Sequence, residues 1–158
     1  MTKLYGRALK NERVNDYVPD VRFDRTSIIS SIRLKGENAP LIFKGTLNGE
    51  FFKEYISSCL APTLNTGDIV ILDNSSSHKV EGALDPIYQR GASALFLPPY
   101  SPDFNPIELS WSKMKAILKK LKPRTYDKLV AALQIALNSF TESDIANWFS
   151  HDGYIINV

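Results

Sequence analysis

Four consecutive apolar residues, Ile69-Val70-Ile71-Leu72, three of them β-branched, stand between Asp68 and Asp73. A strand with one wet face alternates apolar and polar side chains. An unbroken apolar run of this length predicts a strand covered on both faces, as in the middle of a parallel or mixed sheet. Such a sheet needs helices on both sides, so this stretch directs the chain toward an α/β fold. The 158 residues suffice for one core, and a single domain spanning 1–158 is expected. With 44% hydrophobic and 23% charged residues, the chain can bury enough apolar surface to fold, which argues against wholesale disorder.

The patterning on either side agrees. Residues 1–26 are charged and poor in periodicity, and read as irregular structure or short edge strands. Thr26–Leu34 is rich in β-branched residues and stops at the turn cluster Lys35-Gly36-Glu37-Asn38; Leu41–Lys44 then reads as its hairpin partner. Asn48-Gly49-Glu50 opens a helical pattern, with Phe51, Phe52, Tyr55, Ile56, Cys59 and Leu60 at helical spacing and Pro62 at its end. After the apolar run, a helix interrupted by Pro86 is expected over Lys79–Arg90, and Ala94–Leu97 reads as a short strand ended by Pro98-Pro99. A long helix follows from Pro106 to about Leu121, its apolar face formed by Ile107, Trp111, Met114, Leu118 and Leu121 and its stop by Pro123. Leu129, Leu133, Ala136, Leu137 and Phe140 mark another helix, and Ile145, Trp148 and Phe149 a terminal one.

Several classes are set aside by composition. No apolar run approaches the roughly 18 residues of a membrane-crossing helix, and the first residues lack the apolar core of a signal peptide. The lone Cys59 cannot form an internal disulfide, and His78 and His151 are too few for a Cys/His zinc cluster, so a reducing, cytoplasmic setting is expected. The net charge of +2 is unevenly spread: Asn105–Arg124 holds six basic residues against one acid, Glu108. Such asymmetry suits a polyanionic partner, nucleic acid above all, although a solvated helix face explains the charge equally simply.

Two acids stand where chemistry is usually placed. Asp73 ends the most apolar strand, and ligands of open α/β sheets bind just outside strand carboxyl ends. The plainer reading is a turn opener, since Asp-Asn side chains bond the nearby backbone. Glu108 is the fourth residue of Asn105-Pro106-Ile107-Glu108, where it either closes a capping box with Asn105 as N-cap or points from the first helical turn toward a ligand. Local reasoning leaves both open.

The text around these acids is more specific. Asp73-Asn74-Ser75-Ser76-Ser77-His78 and Leu97-Pro98-Pro99-Tyr100-Ser101-Pro102-Asp103-Phe104-Asn105-Pro106-Ile107-Glu108 together resemble the DDE-type transposases of the IS630/Tc1/mariner superfamily. In that family the second catalytic Asp sits in a D-N-x-x-x-H strand end, and the third acid closes a P-P-Y-S-P-x-x-N-P-I-E segment after 34 intervening residues. Asn74 through Ile107 supply that number here. Thr2-Lys3-Leu4-Tyr5-Gly6-Arg7 is similar to a stretch just after the family's first acid, and Asn147-Trp148-Phe149 with Gly153-Tyr154 is similar to its ending, so the resemblance covers essentially the whole chain. The Pro-rich segment also separates it from an ordinary ribonuclease H.

The resemblance implies a ribonuclease-H-like mixed sheet flanked by helices, truncated here at its first strand. It implies three carboxylates holding two Mg²⁺ or Mn²⁺ ions, with Asp73 and Glu108 as two of the catalytic and metal-binding acids. Hard ions of this kind keep oxygen ligands and can activate a nucleophile while stabilising the leaving oxygen. His78 belongs to the second motif and would contact DNA phosphate or structure its loop; a satisfied structural histidine is the alternative. Lys113, Lys115, Lys119 and Lys120 would bind the DNA backbone, or else form a soluble helix surface. The implied first acid is absent: Asp16, Asp20 and Asp24 follow no apolar strand run, and the family's helix-turn-helix region is absent too. The expectation is therefore a catalytic portion that is inactive as this chain alone and prone to self-association or to pairing with an upstream transposase segment. The alternative is a non-catalytic remnant that binds DNA or another transposase chain.

Overall fold

The computed structural model describes residues 7, 9, 10, 12, 25–34 and 39–155. Asp16, Asp20 and Asp24, the turn at 35–38 and nearly all of the stretch at 2–7 lie outside the described residues, as does most of the irregular segment expected over 1–26.

Strands β1 (Thr26–Ile29) and β2 (Leu41–Lys44) pair antiparallel, with Ile28 opposite Ile42 and Ile29 opposite Leu41. Side chains alternate faces along a strand, and here both faces are apolar. Ile29 and Leu41 pack on a core of Phe52, Tyr55, Ile56, Leu60, Leu72, Ala83 and Ile87, whereas Ile28 and Ile42 pack on a second core of Met114, Leu118, Ala132, Leu133 and Ala136. The hairpin is thus the middle layer between two helical layers. The strand expected over 26–34 ends at Ile29 because β2 offers only four residues to pair with.

Helix α1 (Gly49–Tyr55) begins where the Asn48 side chain accepts a hydrogen bond from the Phe51 amide, 2.9 Å, and it continues into a π turn, Ile56–Leu60, and a 3₁₀ turn, Ala61–Thr63, that contains Pro62. Strand β3 (Ile69–Leu72) pairs parallel with β4 (Ser93–Phe96) across the helix α2 (Asp85–Gln89). Residues 80–84 are not helical, and Pro86 lies in the first turn of α2 rather than interrupting a longer helix. Proline's missing amide costs nothing in a first turn, where that donor would have no partner.

The β3–β4 pair departs from the expectation of a strand covered twice. Val70, Leu72, Ala94 and Phe96 pack on the first core, but on the other face Ile69 is 65% and Leu95 55% exposed. The remaining helices pack on the hairpin and on one another instead: α3 (Ile107–Leu121) lies against α4 (Tyr126–Asn138) and α5 (Glu142–His151). The face that α3 buries is Ser110, Met114 and Leu118, while Leu121, expected on the apolar face, is 44% exposed. Ser110 is tolerated there because its hydroxyl donates to the Ile107 carbonyl, 2.7 Å. Among the described residues the result is a mixed α/β structure with two small sheets and five α-helices, consistent with part of a ribonuclease-H-like fold. Among the described residues no helix is long and apolar enough to cross a membrane.

Candidate active site

The parallel pairing of β3 and β4 brings both carboxyl ends to one edge. Asp73 leaves the end of β3, and the 97–106 loop leaves the end of β4 and delivers the first turn of α3. Asp73, Asn74, Ser75 and Lys79 line one side of a cleft there, and Pro98–Pro102, Asn105 and Glu108 line the other.

Asp73 is half exposed and firmly oriented. Its Oδ1 accepts the Ser75 amide hydrogen, 3.1 Å, and lies 2.8 Å from His78 Nδ1, which also stands 3.4 Å from the Asp73 carbonyl oxygen, its hydrogen-bond partner. The turn-opening role is therefore present, but it engages one oxygen only. Oδ2 has no hydrogen-bond partner among the described residues. The His78 ring is held in turn: it rides on the 3₁₀ turn Ser76–Lys79 and stacks on Phe52, with centroids 4.2 Å apart and planes at 28°. Phe52 is 1% exposed, so the ring that seats His78 belongs to the core.

Glu108 resolves differently from the local alternative. The N-cap position of α3 is Pro106, no side chain caps the helix, and the Glu108 amide donates to the Asn105 carbonyl, 3.0 Å, so the capping box expected for Asn105 and Glu108 does not form. The Glu108 carboxylate is exposed, and among the described residues nothing pairs with it. At seven and eleven residues beyond it, Lys115 and Lys119 fall on the same stripe of α3. Both are exposed, as is Lys120, and none forms an ion pair among the described residues. Lys113 is engaged within the fold. Its ammonium donates to Asp144 Oδ2 at 2.6 Å and to the Ser139 carbonyl at 3.0 Å, and it lies 5.7 Å from the centre of the Phe140 ring.

Divalent-ion chemistry can be tested against the donors present. Asp73 Oδ2, both Glu108 oxygens and the buried, unpartnered Oδ1 of Asn74 are hard oxygen donors on one cleft, the set a Mg²⁺-type ion takes. The donors fit in kind and fall short in number, since among the described residues no three acidic, His or Cys side chains converge. A further cavity of about 440 Å³ reaches both acids and runs between the residues 28–34 and 69–73.

Sequence reasoning missed three contributors. Phe52 acts through its ring, a role with no local signal because it depends on where the turn after β3 meets α1, whereas the Ser75 amide is the backbone partner that the turn-opening reading of Asp73 already implied. Tyr100 stands in the proline-rich segment and Lys79 at the start of the helix expected over Lys79–Arg90, but only the fold puts them on the cleft.

A family model described as DDE superfamily endonuclease matches residues 1–130, which include both acids, His78 and the four lysines. No curated protein matches the chain.

Proposed function

Because the chain belongs to the DDE superfamily endonuclease family, we propose that it is catalytic-domain sequence of an IS630/Tc1/mariner-type transposase, which cleaves and joins DNA strands at insertion-sequence ends. The observation that carries this reading is the placement of Asp73 and Glu108, from a parallel strand end and a helix first turn, on one cleft with free carboxylate oxygens. DNA is the substrate such a nuclease family implies, and DDE endonuclease domains generally use divalent metals. When bound, two Mg²⁺ or Mn²⁺ ions would activate the attacking hydroxyl and stabilise the leaving oxygen of an in-line displacement.

The protein's own contribution is orientation. His78 and the Ser75 amide hold Asp73 through Oδ1 and leave Oδ2 without a hydrogen-bond partner among the described residues. Glu108 projects from a fifteen-residue helix anchored on two others, so its carboxylate is positioned by a rigid element. Lys115, Lys119 and Lys120 supply cationic contacts to the phosphate backbone along the same helix. Lys113 is left out of that surface because its charge is already paired.

A third carboxylate has a place to enter. A sheet face contributes alternate residues to a cavity, yet here the walls are the consecutive residues 28–34 and 69–73, which identifies them as backbone edges. Arg33, near the end of one wall, bonds Asp68, at the start of the other, 2.7 Å, so the two walls run antiparallel. An extended segment could pair with either edge and would end beside Asp73 and Glu108. We propose that the missing acid arrives on such a segment, from upstream transposase sequence or from another copy, and that the chain by itself does not cleave.

The same shortage of ligands favours a second reading, a non-catalytic remnant that binds DNA or another transposase chain. Mn²⁺ titration separates them. A catalytic portion binds Mn²⁺ weakly and loses it in Asp73→Asn and Glu108→Gln. A remnant shows DNA binding with no Mn²⁺ binding that depends on either acid. Asp73-dependent nicking of insertion-sequence-end DNA by the chain alone would overturn the proposed inactivity.

A further inference from the structure

One residue of the Pro-Pro-Tyr-Ser-Pro segment is explained neither by folding nor by the carboxylate site. Tyr100 is wholly exposed, at 102% of its reference surface, and its backbone is left-handed with φ of 55°. A non-glycine residue adopts that region only against steric resistance between Cβ and its own backbone. A large aromatic ring gains nothing from standing entirely in water. Glycine, asparagine or a small polar residue would serve a simple turn better.

The surroundings show what the ring does face. Pro98, Pro99 and Pro102 each have a fixed φ, and the Ser101 hydroxyl donates to the Pro99 carbonyl, 3.3 Å, so the loop has few conformations in which to withdraw the side chain. Tyr100 lies on the cleft that holds Asp73 and Glu108, with the exposed Lys79 on the opposite side. Lys79 has no ion-pair partner among the described residues. One polar cleft is therefore lined by two carboxylates, an exposed lysine and a fully exposed aromatic ring.

We infer that Tyr100 is a stacking platform for an unpaired nucleobase next to the phosphate that the cleft receives, with Lys79 pairing a neighbouring phosphate. This rests on the reading of DNA as substrate. A base has an apolar π face and carries a phosphate on each side, and the cleft presents the complement of each. A base inside a duplex exposes no face for stacking, so the platform selects a frayed, single-stranded or extruded nucleotide. Through this contact Tyr100 positions the strand and takes no part in the bond exchange.

The test uses the full chain and a short single-stranded oligonucleotide carrying 2-aminopurine, in Mg²⁺ buffer, with base fluorescence and anisotropy as readouts and the same sequence as a blunt duplex for comparison. The wild-type chain is expected to quench the fluorophore. Tyr100→Phe keeps the ring and should bind as wild type. Tyr100→Ala and Tyr100→Gly should bind the single strand about fivefold or more weakly and lose the quenching, with little change for the duplex. Glycine is the safer variant for folding because it accepts the left-handed backbone. Unchanged single-strand affinity in both variants overturns the proposal, as does an equal loss for single strand and duplex. Unchanged affinity together with altered self-association would reassign Tyr100 to a protein contact. Metal binding reports separately: Tyr100-dependent quenching in a chain whose Mn²⁺ binding does not depend on Asp73 or Glu108 would retain the platform and reject the catalytic-site reading.

Discussion

The lock between α3 and α5 allows a prediction with a magnitude and a pH dependence. Asp144 stands at the third position of α5, where its Oδ2 accepts hydrogen bonds from Lys113 Nζ at 2.6 Å, Thr141 Oγ1 at 2.7 Å and the Thr141 amide at 2.8 Å. The Lys113 ammonium first, then the Thr141 hydroxyl and amide, hold the Asp144 carboxyl down at about 2 from an ordinary 3.8. At 1.36 kcal/mol per unit that displacement corresponds to roughly 2.4 kcal/mol. The side chains of the pair are 31% and 29% exposed, so solvent screening reduces this to about 1 kcal/mol. Asp144→Ala also breaks the capping box with Thr141, worth about another 1 kcal/mol.

Asp144→Ala should therefore cost about 2 kcal/mol near neutral pH, measured by urea unfolding. The sign of the pH effect follows from the depressed carboxyl. Its stabilisation is complete above the unfolded value near 3.8 and is lost as pH falls through about 2, so the gap between variant and wild type should narrow over that interval. Lys113→Met should destabilise to a similar degree, and the double variant by clearly less than the sum of the two. A gap below about 0.5 kcal/mol at neutral pH, or one that stays constant between pH 4 and pH 2, would refute the reasoning. The lock concerns the site because α3, which it braces, carries Glu108.

Other substitutions probe other layers. Ile87 is 0% exposed in the first core, and Ile87→Ala should lower stability by about 2–5 kcal/mol with no change in the urea m-value. His78→Ala removes the group that orients Asp73; Mn²⁺ affinity, read by titration calorimetry, should fall roughly 10–100-fold, and an unchanged affinity would assign His78 a purely structural role. Lys119→Glu with Lys120→Glu should weaken DNA binding uniformly across sequences and reduce the salt slope by roughly one unit per lost phosphate contact, with circular dichroism unchanged. If Lys113→Gln, once corrected for its lost stability, weakens DNA binding as much as Lys119→Gln, its exclusion from the DNA surface is wrong.

Where sequence and structure agree, the signal was periodic and the partner close in the chain. The hairpin, the β3–β4 strands and the helices α3 to α5 all follow from alternation or from helical spacing. Disagreement arises where a residue answers to something distant. Lys113 sits opposite the apolar face expected from a helical wheel, but α5 packs over that side and brings Asp144 from 31 positions away. Ile69 and Leu95 read as interior because apolar runs usually are, yet α3 to α5 gather on the hairpin and leave that face uncovered among the described residues. Pro86 shows the limit of a local rule: the same missing amide breaks a helix in its middle and begins one in its first turn.

The 34-residue spacing between the two acids has a physical origin in this topology. A parallel partner for β3 requires a crossover, here residues 73–92 with the short α2, which returns the chain to the start of β4 beside Ile69. Four paired residues later β4 ends at the same edge as β3, and Leu97 extends the ladder by donating to the Leu72 carbonyl, 2.8 Å. The chain then needs only a loop rich in proline to start α3 against that edge. One crossover, one strand and one rigid loop thus fix where Glu108 meets Asp73, and a change in the length of any of them moves the first turn of α3. Inserting two glycines after Ser101 should leave both cores intact, since neither draws a residue from the 97–106 loop. It should abolish acid-dependent Mn²⁺ binding, because the second carboxylate would no longer be held at a defined separation from the first. An insertion variant that binds Mn²⁺ as tightly as the parent chain would show that the two acids do not act as one site.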